Sequence, residues 1–104
     1  MSANGNDLVM LTSTDNGNGA VTTYQSNGKD LVNLTSTDNG GTVKTYQPNG
    51  KELVALTSTD NGGMVYVMNK TNETIADMKA DEYGNGLVGA YNSKGDGRTL
   101  KPGL

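Results

Sequence analysis

The side chains able to do chemistry in this 104-residue chain are carboxylates, lysines, hydroxyls and phenols, because it contains no His, Cys, Trp or Phe. Ser-His-Asp and Cys-His nucleophile systems cannot be assembled from that alphabet, nor can zinc sites of the Cys/His kind. The most regular acidic feature is the series Asp15, Asp38 and Asp60, with Asp81 near the equivalent place. A ladder of carboxylates is calcium chemistry, since that ion takes oxygen ligands. The first three acids each precede Asn-Gly, however, and Asp in that setting caps its own turn. No EF-hand loop or Gly-rich nonapeptide run matches, so turn chemistry is preferred and no metal or cofactor is expected. Paired carboxylates acting as general acid and base would need a pocket that nothing in the pattern supplies. The expectation is a protein that is not an enzyme and takes no small-molecule substrate.

Hydroxyls form the second series, the triplets Thr12-Ser13-Thr14, Thr35-Ser36-Thr37 and Thr57-Ser58-Thr59. In a strand the outer two residues of each triplet share a face. Stacked triplets would align Thr12, Thr14, Thr35, Thr37, Thr57 and Thr59 into a flat array resembling those of ice-binding β-solenoids. The plainer reading is that Thr is a good exposed strand residue. The third unit loses the motif at Lys79-Ala80-Asp81. Asn33-Leu34-Thr35, Asn69-Lys70-Thr71 and Asn72-Glu73-Thr74 fit the glycosylation acceptor pattern, which arises readily by chance in so Asn- and Thr-rich a chain.

Charge and hydropathy exclude further partners. The formal net charge is -3 and the pI is near 4.6. No Lys/Arg cluster is present, so a nucleic-acid partner is not expected. The longest apolar runs, such as Leu8 to Leu11, are far short of a membrane span, and no apolar signal-peptide core follows Met1. The compartment stays open. Only 33% of residues are hydrophobic, so one chain buries little apolar surface against its backbone entropy. With disulfides and metals absent, oligomerisation is the remaining means of support.

The elements that carry these residues are repeats. Leu-Thr-Ser-Thr-Asp-Asn-Gly occurs unchanged at Leu11 to Gly17, Leu34 to Gly40 and Leu56 to Gly62, with spacings of 23 and 22 residues. Full units span 19–40, 41–62 and a drifted 63–86, flanked by partial units 1–18 and 87–104. All belong to one repetitive domain. Each unit holds two runs rich in Val, Thr, Tyr and Leu, such as Thr42 to Gln47 and Glu52 to Ser58. Gln-Ser-Asn-Gly-Lys and Gln-Pro-Asn-Gly-Lys between them are hairpin chemistry. The fold class expected is all-β, an antiparallel meander of about eight strands of five to seven residues. Ile75 to Ala80, the one segment with helical appeal, falls to a strand by its place in the repeat.

Period-two alternation gathers Val9, Leu11, Val21, Val32, Leu34, Val43, Val54, Leu56, Val65, Val67, Ala76, Met78, Val88 and Ala90 on one face. The opposite face is mostly polar, and Lys44 there is expected to tolerate reversal of its charge. Leu31, Leu53 and Ile75 are expected across the hairpins from Tyr24, Tyr46 and Met68, as Leu-Tyr clamps. Nothing in the chain remains to cover the apolar face. Three copies closed into a homotrimeric β-prism would cover it, with three Val or three Leu side chains in each layer. The competing geometry is a single-chain parallel β-solenoid with about 22 residues per coil. The hairpin appearance of the Pro-Asn-Gly-Lys turn favours the trimer.

Two resemblances bear on role. The pattern Tyr-x-x-Asn-Gly-Lys-x-Leu-x-x-Leu-Thr-x-x-Asp-x-Gly, read from Tyr24 to Gly40 and from Tyr46 to Gly62, is similar to the YD repeats of large bacterial surface and toxin-shell proteins. It departs from them at Gln25 and Gln47, where that family carries Asp. The expected architecture also resembles the trimeric β-prisms and triple-stranded β-helices of phage fibres. Both imply a structural fibre or shaft segment that associates with itself in an extracellular or virion setting. An ice-binding or other surface-binding solenoid is the alternative. Heptapeptides this unchanged point to recent duplication or to a deliberately made consensus repeat, and the sequence leaves the two open.

Overall fold

A computed structural model describes residues 5–102. The ends of the two partial units, residues 1–4 and 103–104, lie outside the described residues. Nine strands follow one another in sheet order: β1 (Val9–Ser13), β2 (Gly19–Tyr24), β3 (Asp30–Thr37), β4 (Gly40–Tyr46), β5 (Glu52–Thr59), β6 (Gly62–Met68), β7 (Thr74–Ala80), β8 (Gly86–Tyr91) and β9 (Gly97–Leu100). Every neighbouring pair is antiparallel. The chain is therefore all-β, one open meander, with no helix among the described residues. Ile75 to Ala80 is strand, as its repeat position required. Residues one repeat apart lie two strands apart with an antiparallel strand between them. They do not stack as neighbouring parallel coils of a solenoid would. The ninth strand is an addition to the count expected from sequence: Gly97–Leu100, four residues opening on Gly-Arg, is too short to register as a strand run by composition.

Glycine places the reversals. At one end of the strands the hairpins are three-residue loops. Gln25 and Lys29 bracket Ser26-Asn27-Gly28, with the Gly28 N–H donating to the Gln25 carbonyl at 2.9 Å. Asn27 accepts the Lys29 N–H on its side-chain oxygen at 3.0 Å. Gly28 holds φ at 90° and Gly50 at 89°, which a side chain would resist. The drifted unit keeps this loop with Asn72 in the glycine place, at φ 69°. At the other end, Asp38-Asn39 and Asp60-Asn61 are tight two-residue connections closed by Gly40 and Gly62. The first hairpin at this end carries one more residue, Asn18, whose carbonyl accepts the Thr14 N–H. That insertion is why the first heptapeptide spacing is 23 and the second is 22.

A bulge recurs once per unit. Tyr24 stands opposite Asp30 while Thr23 stands opposite Val32, leaving Leu31 unpaired in the ladder. Leu53 and Ile75 occupy the same position in their units. The Leu-Tyr clamps expected from sequence are thereby corrected. Tyr24 faces Asp30, Tyr46 faces Glu52 and Met68 faces Thr74. An extra residue on one strand raises the local twist and resets the alternation of every residue after it.

The sheet is a single layer. Its radius of gyration is 16.5 Å, against about 13 Å for a compact chain of this length. Its accessible surface is 7058 Å². A compact 10.8 kDa monomer would show about 5,500 Å², so about 1,500 Å² more stays in contact with water than a closed fold would leave. Ala55 is the one fully buried hydrophobic side chain among the described residues.

Candidate self-association surface

Register converts the repeats into rows. Leu11, Val21, Leu34, Val43, Leu56, Val65, Met78, Val88 and Leu100 stand opposite one another strand by strand, one apolar residue from each of the nine strands. Cross-strand partners point to the same side, so this row is a continuous ridge. A parallel row beside it holds Val9, Thr23, Val32, Thr45, Val54, Val67, Ala76, Ala90 and Arg98. On the other flank lie small residues in cross-strand pairs, Ser13 with Gly19, Ser36 with Gly41, Ser58 with Gly63 and Ala80 with Gly86. The ridge and this low flank enclose shallow grooves, one of them between Leu11, Val21, Leu34 and Val43 above Gly19 and Gly41.

The ridge is wet. Leu11 is 76% exposed and Leu100 is 70%, and even Leu56 in the middle strand keeps 47%. Val21, Val43 and Val65 between the longer side chains are half-buried. Contiguous exposed apolar surface is uncommon on a monomeric protein, whereas singly scattered exposed hydrophobes are ordinary. The twelve residues expected at a trimer axis fall into the two rows. Leu11, Val21, Leu34, Val43, Leu56, Val65, Met78 and Val88 lie in the ridge, and Val9, Val32, Val54 and Val67 in the row beside it. Thr23 and Thr45 interrupt that second row, and Leu100 extends the first beyond the expected set.

The opposite face is polar but partly organised. Lys44, Ala55 and Tyr66 are cross-strand partners in one row. The Lys44 Nζ lies 2.8 Å from the Glu52 carboxylate, and the Tyr66 hydroxyl donates to its other oxygen at 2.9 Å. The hydrogen bond from Lys44 holds the Glu52 carboxyl below the usual carboxylate range, and the same bond raises Lys44 above the usual lysine value. Partial burial, then the Glu52 hydrogen bond, raises the Tyr66 phenol. Lys44 is therefore a member of an ion-paired cluster and not the indifferent surface position expected from sequence. The spacing of Lys44, Glu52 and Tyr66 carries no motif, because the three come from different strands, and the bulge at Leu53 shifts their phase. A second such contact closes over β8. There the Tyr91 hydroxyl donates to Asp77 at 3.3 Å, and a Cβ on buried Gly89 would meet both side chains.

The hydroxyl and carboxylate series resolve into local bonds. Thr37 and Thr59 donate to the carbonyls of Gly40 and Gly62 across their turns and accept the N–H groups of Asn39 and Asn61. Thr14 accepts the Asn18 N–H. Thr12, Thr35 and Thr57 lie on β1, β3 and β5, so equivalent hydroxyls are separated by two strand spacings, about 9.6 Å. Thr42 stands across from Thr35 and shares a 3.3 Å hydrogen bond with Thr57. The acids Asp15, Asp38, Asp60 and Asp81 all sit at the turns of one end, and the Asp81 carboxylate accepts the N–H groups of Tyr83 and Asn85. Among the described residues no three acidic side chains converge where an ion could be held. Of the glycosylation-pattern asparagines, Asn33 is bonded to Thr22 and Asp30.

No model of a known protein family matches the chain, and none of the curated proteins is similar to it.

Proposed function

We propose that this protein is a structural repeat module without catalytic activity, a shaft or fibre segment that assembles with copies of itself through the ridge face, as a homotrimeric β-prism. The observation that carries the reading is the unbroken ridge of nine apolar side chains, one per strand, with nothing among the described residues to cover it. The surplus of about 1,500 Å² per chain over a compact fold is close to what one chain buries in two standard interfaces at about 800 Å² per partner, as each member of a trimer makes. Aliphatic ridge side chains suit a narrow three-fold axis, where Phe or Trp would force the sheets apart, and the chain has neither. The strand spacing of about 4.8 Å then sets the distance between successive layers of three side chains. The polar cluster of Lys44, Glu52 and Tyr66 faces solvent in this arrangement.

Ice binding receives less support. A lattice-matched hydroxyl array needs free, closely spaced threonines, and here Thr14, Thr37 and Thr59 serve turns while Thr12, Thr35 and Thr57 stand about 9.6 Å apart.

Solution mass tests the proposal. Light scattering on the eluted protein is expected to give three times the chain mass or a multiple of it. A monodisperse, folded monomer over a wide concentration range would end the prism reading.

A further inference from the structure

The two edges of the sheet are built differently. Both are rows of unpaired backbone N–H and C=O groups, the feature that natural sheets guard with charge, proline or brevity. The β9 edge carries all three guards: it is four residues long, contains Arg98, and runs directly into Lys101 and Pro102. The β1 edge is less guarded: it is one residue longer, and the charge nearest to it, Asp7, lies outside the strand. Its five residues, Val9-Met10-Leu11-Thr12-Ser13, hold no charge and no proline, and among the described residues β2 is its only strand neighbour.

The outward-facing groups of β1 can be assigned from its hydrogen bonds. The Tyr24 N–H donates to the Leu8 carbonyl and the Thr14 N–H donates to the Asn18 carbonyl. In an antiparallel ladder bonded residues alternate. Leu8, Met10, Thr12 and Thr14 therefore bond toward β2, and Val9, Leu11 and Ser13 direct their backbone groups outward.

We infer that β1 pairs with β1 of a second copy, antiparallel across a two-fold axis at Leu11. Strand direction selects this partner. With nine strands in alternating directions, β1 and β9 run the same way. A copy stacked by translation would offer its guarded β9 in parallel to an otherwise antiparallel sheet. The two-fold copy offers the less guarded strand in the native orientation. Centring the pair on Leu11 engages all three outward residues of each copy, Leu11 with Leu11 and Val9 with Ser13, in about six backbone hydrogen bonds. It also carries the ridge across the junction without a break, giving one sheet of doubled width.

The pairing concerns an edge and does not require the ridge faces to close. If they do close as proposed above, all three β1 edges lie at one end of the prism, and two prisms join head to head through three such junctions at once.

Sedimentation velocity of the wild-type chain and of Ser13→Pro tests the inference. Proline at Ser13 removes an outward donor and leaves the bonds to β2 in place. The particle mass is expected to halve while the circular dichroism spectrum stays that of the sheet. Met10→Lys combined with Thr12→Lys is the second variant. It alters neither backbone donors nor the ridge face, and it sets ammonium groups against each other across the two-fold. It too should halve the mass. Because the unsubstituted chain has no cysteine, register can be read by mild oxidation. Met10→Cys mixed with Thr12→Cys should form a disulfide-linked pair, and each alone should not. A mass unchanged in both blocking variants overturns the inference, as does linkage that is equal in the mixed and single-variant samples. A wild-type mass no greater than that of the variants overturns it as well and leaves β1 to a different occupant. Leu56→Asp separates the two readings. Should face closure fail, Ser13→Pro still takes a dimer to a monomer, and should edge pairing fail, Ser13→Pro changes nothing whatever Leu56→Asp does.

Discussion

Leu56→Ala probes the ridge at its centre. Removing three methylene equivalents from a fully buried leucine costs about 2.4 kcal/mol at ~0.8 kcal/mol each. Leu56 keeps 47% of its surface in water within the single chain, so about half of that loss, ~1 kcal/mol, falls on folding of the chain. The other half, again ~1 kcal/mol per copy, falls on assembly. Three copies lose ~3 kcal/mol, which lowers the association constant of a trimer about a hundredfold. Because the midpoint concentration of a three-body equilibrium scales as the square root of that constant, it should rise about tenfold. Sedimentation equilibrium over a dilution series reads the midpoint, and a thermal melt at a concentration where both proteins are dissociated reads the folding part. Leu56→Asp should abolish association outright, since an unpaired carboxylate would be desolvated in every copy. A Leu56→Ala chain that melts lower but associates at the wild-type midpoint would refute the reasoning, and so would a Leu56→Asp chain that assembles normally.

Other perturbations read other parts of the sheet. Lys44→Glu sets two carboxylates together where a 2.8 Å ion pair stood. It should lower stability by about 1 kcal/mol, seen as a lower thermal midpoint and restored in part by adding Glu52→Gln. Because Glu52 titrates below its unfolded value in the fold, its contribution is complete above about pH 4.3 and fades as pH falls through the lower folded value. Replacing Lys44 by Met should flatten this acid limb in urea titrations run at successive pH values. Asn72→Gly should raise stability by up to about 1 kcal/mol by relieving the positive φ, and Asn72→Val should lower it by at least as much, both measurable by chemical denaturation. Deleting Lys29 to Gly50 joins Gly28 to Lys51, retains the Asn-Gly-Lys turn and brings Val21 opposite Leu56. A folded seven-stranded sheet is expected by circular dichroism, whereas deletion of Lys29 alone should disrupt the hairpin and melt lower.

Strand order, turn positions and the membership of each face were legible because Gly and Asn-Gly punctuate the chain, and because Val and Leu alternate with Thr between them. The bulges were not. Counting from Tyr24 through the Asn-Gly turn puts Leu31 opposite the ring, and only the backbone reveals that Asp30 takes that place and that Leu31 is surplus. The Lys44, Glu52 and Tyr66 cluster escaped for a related reason. Glu52 corresponds to Asp30 in the preceding unit, whose shorter side chain bonds Asn33 instead, and Tyr66 exists only in the drifted unit. Asn72 was visible as an asparagine but not as the stand-in for glycine at a left-handed position, because its neighbours spell no Asn-Gly pair. The final strand, four residues opening on Gly-Arg, was too short to show an alternating run.

The one-per-strand ridge also makes the repeat a ruler. Each unit contributes two strands, so it lengthens the sheet by about 9.6 Å across the strands. The register of one unit continues that of the last, so the length of the object is set in discrete increments by copy number, with no stop signal required inside the sheet. Adding or removing a whole unit changes reach while leaving every hairpin, bulge and ridge position in phase, so dimension can vary without the fold being re-solved.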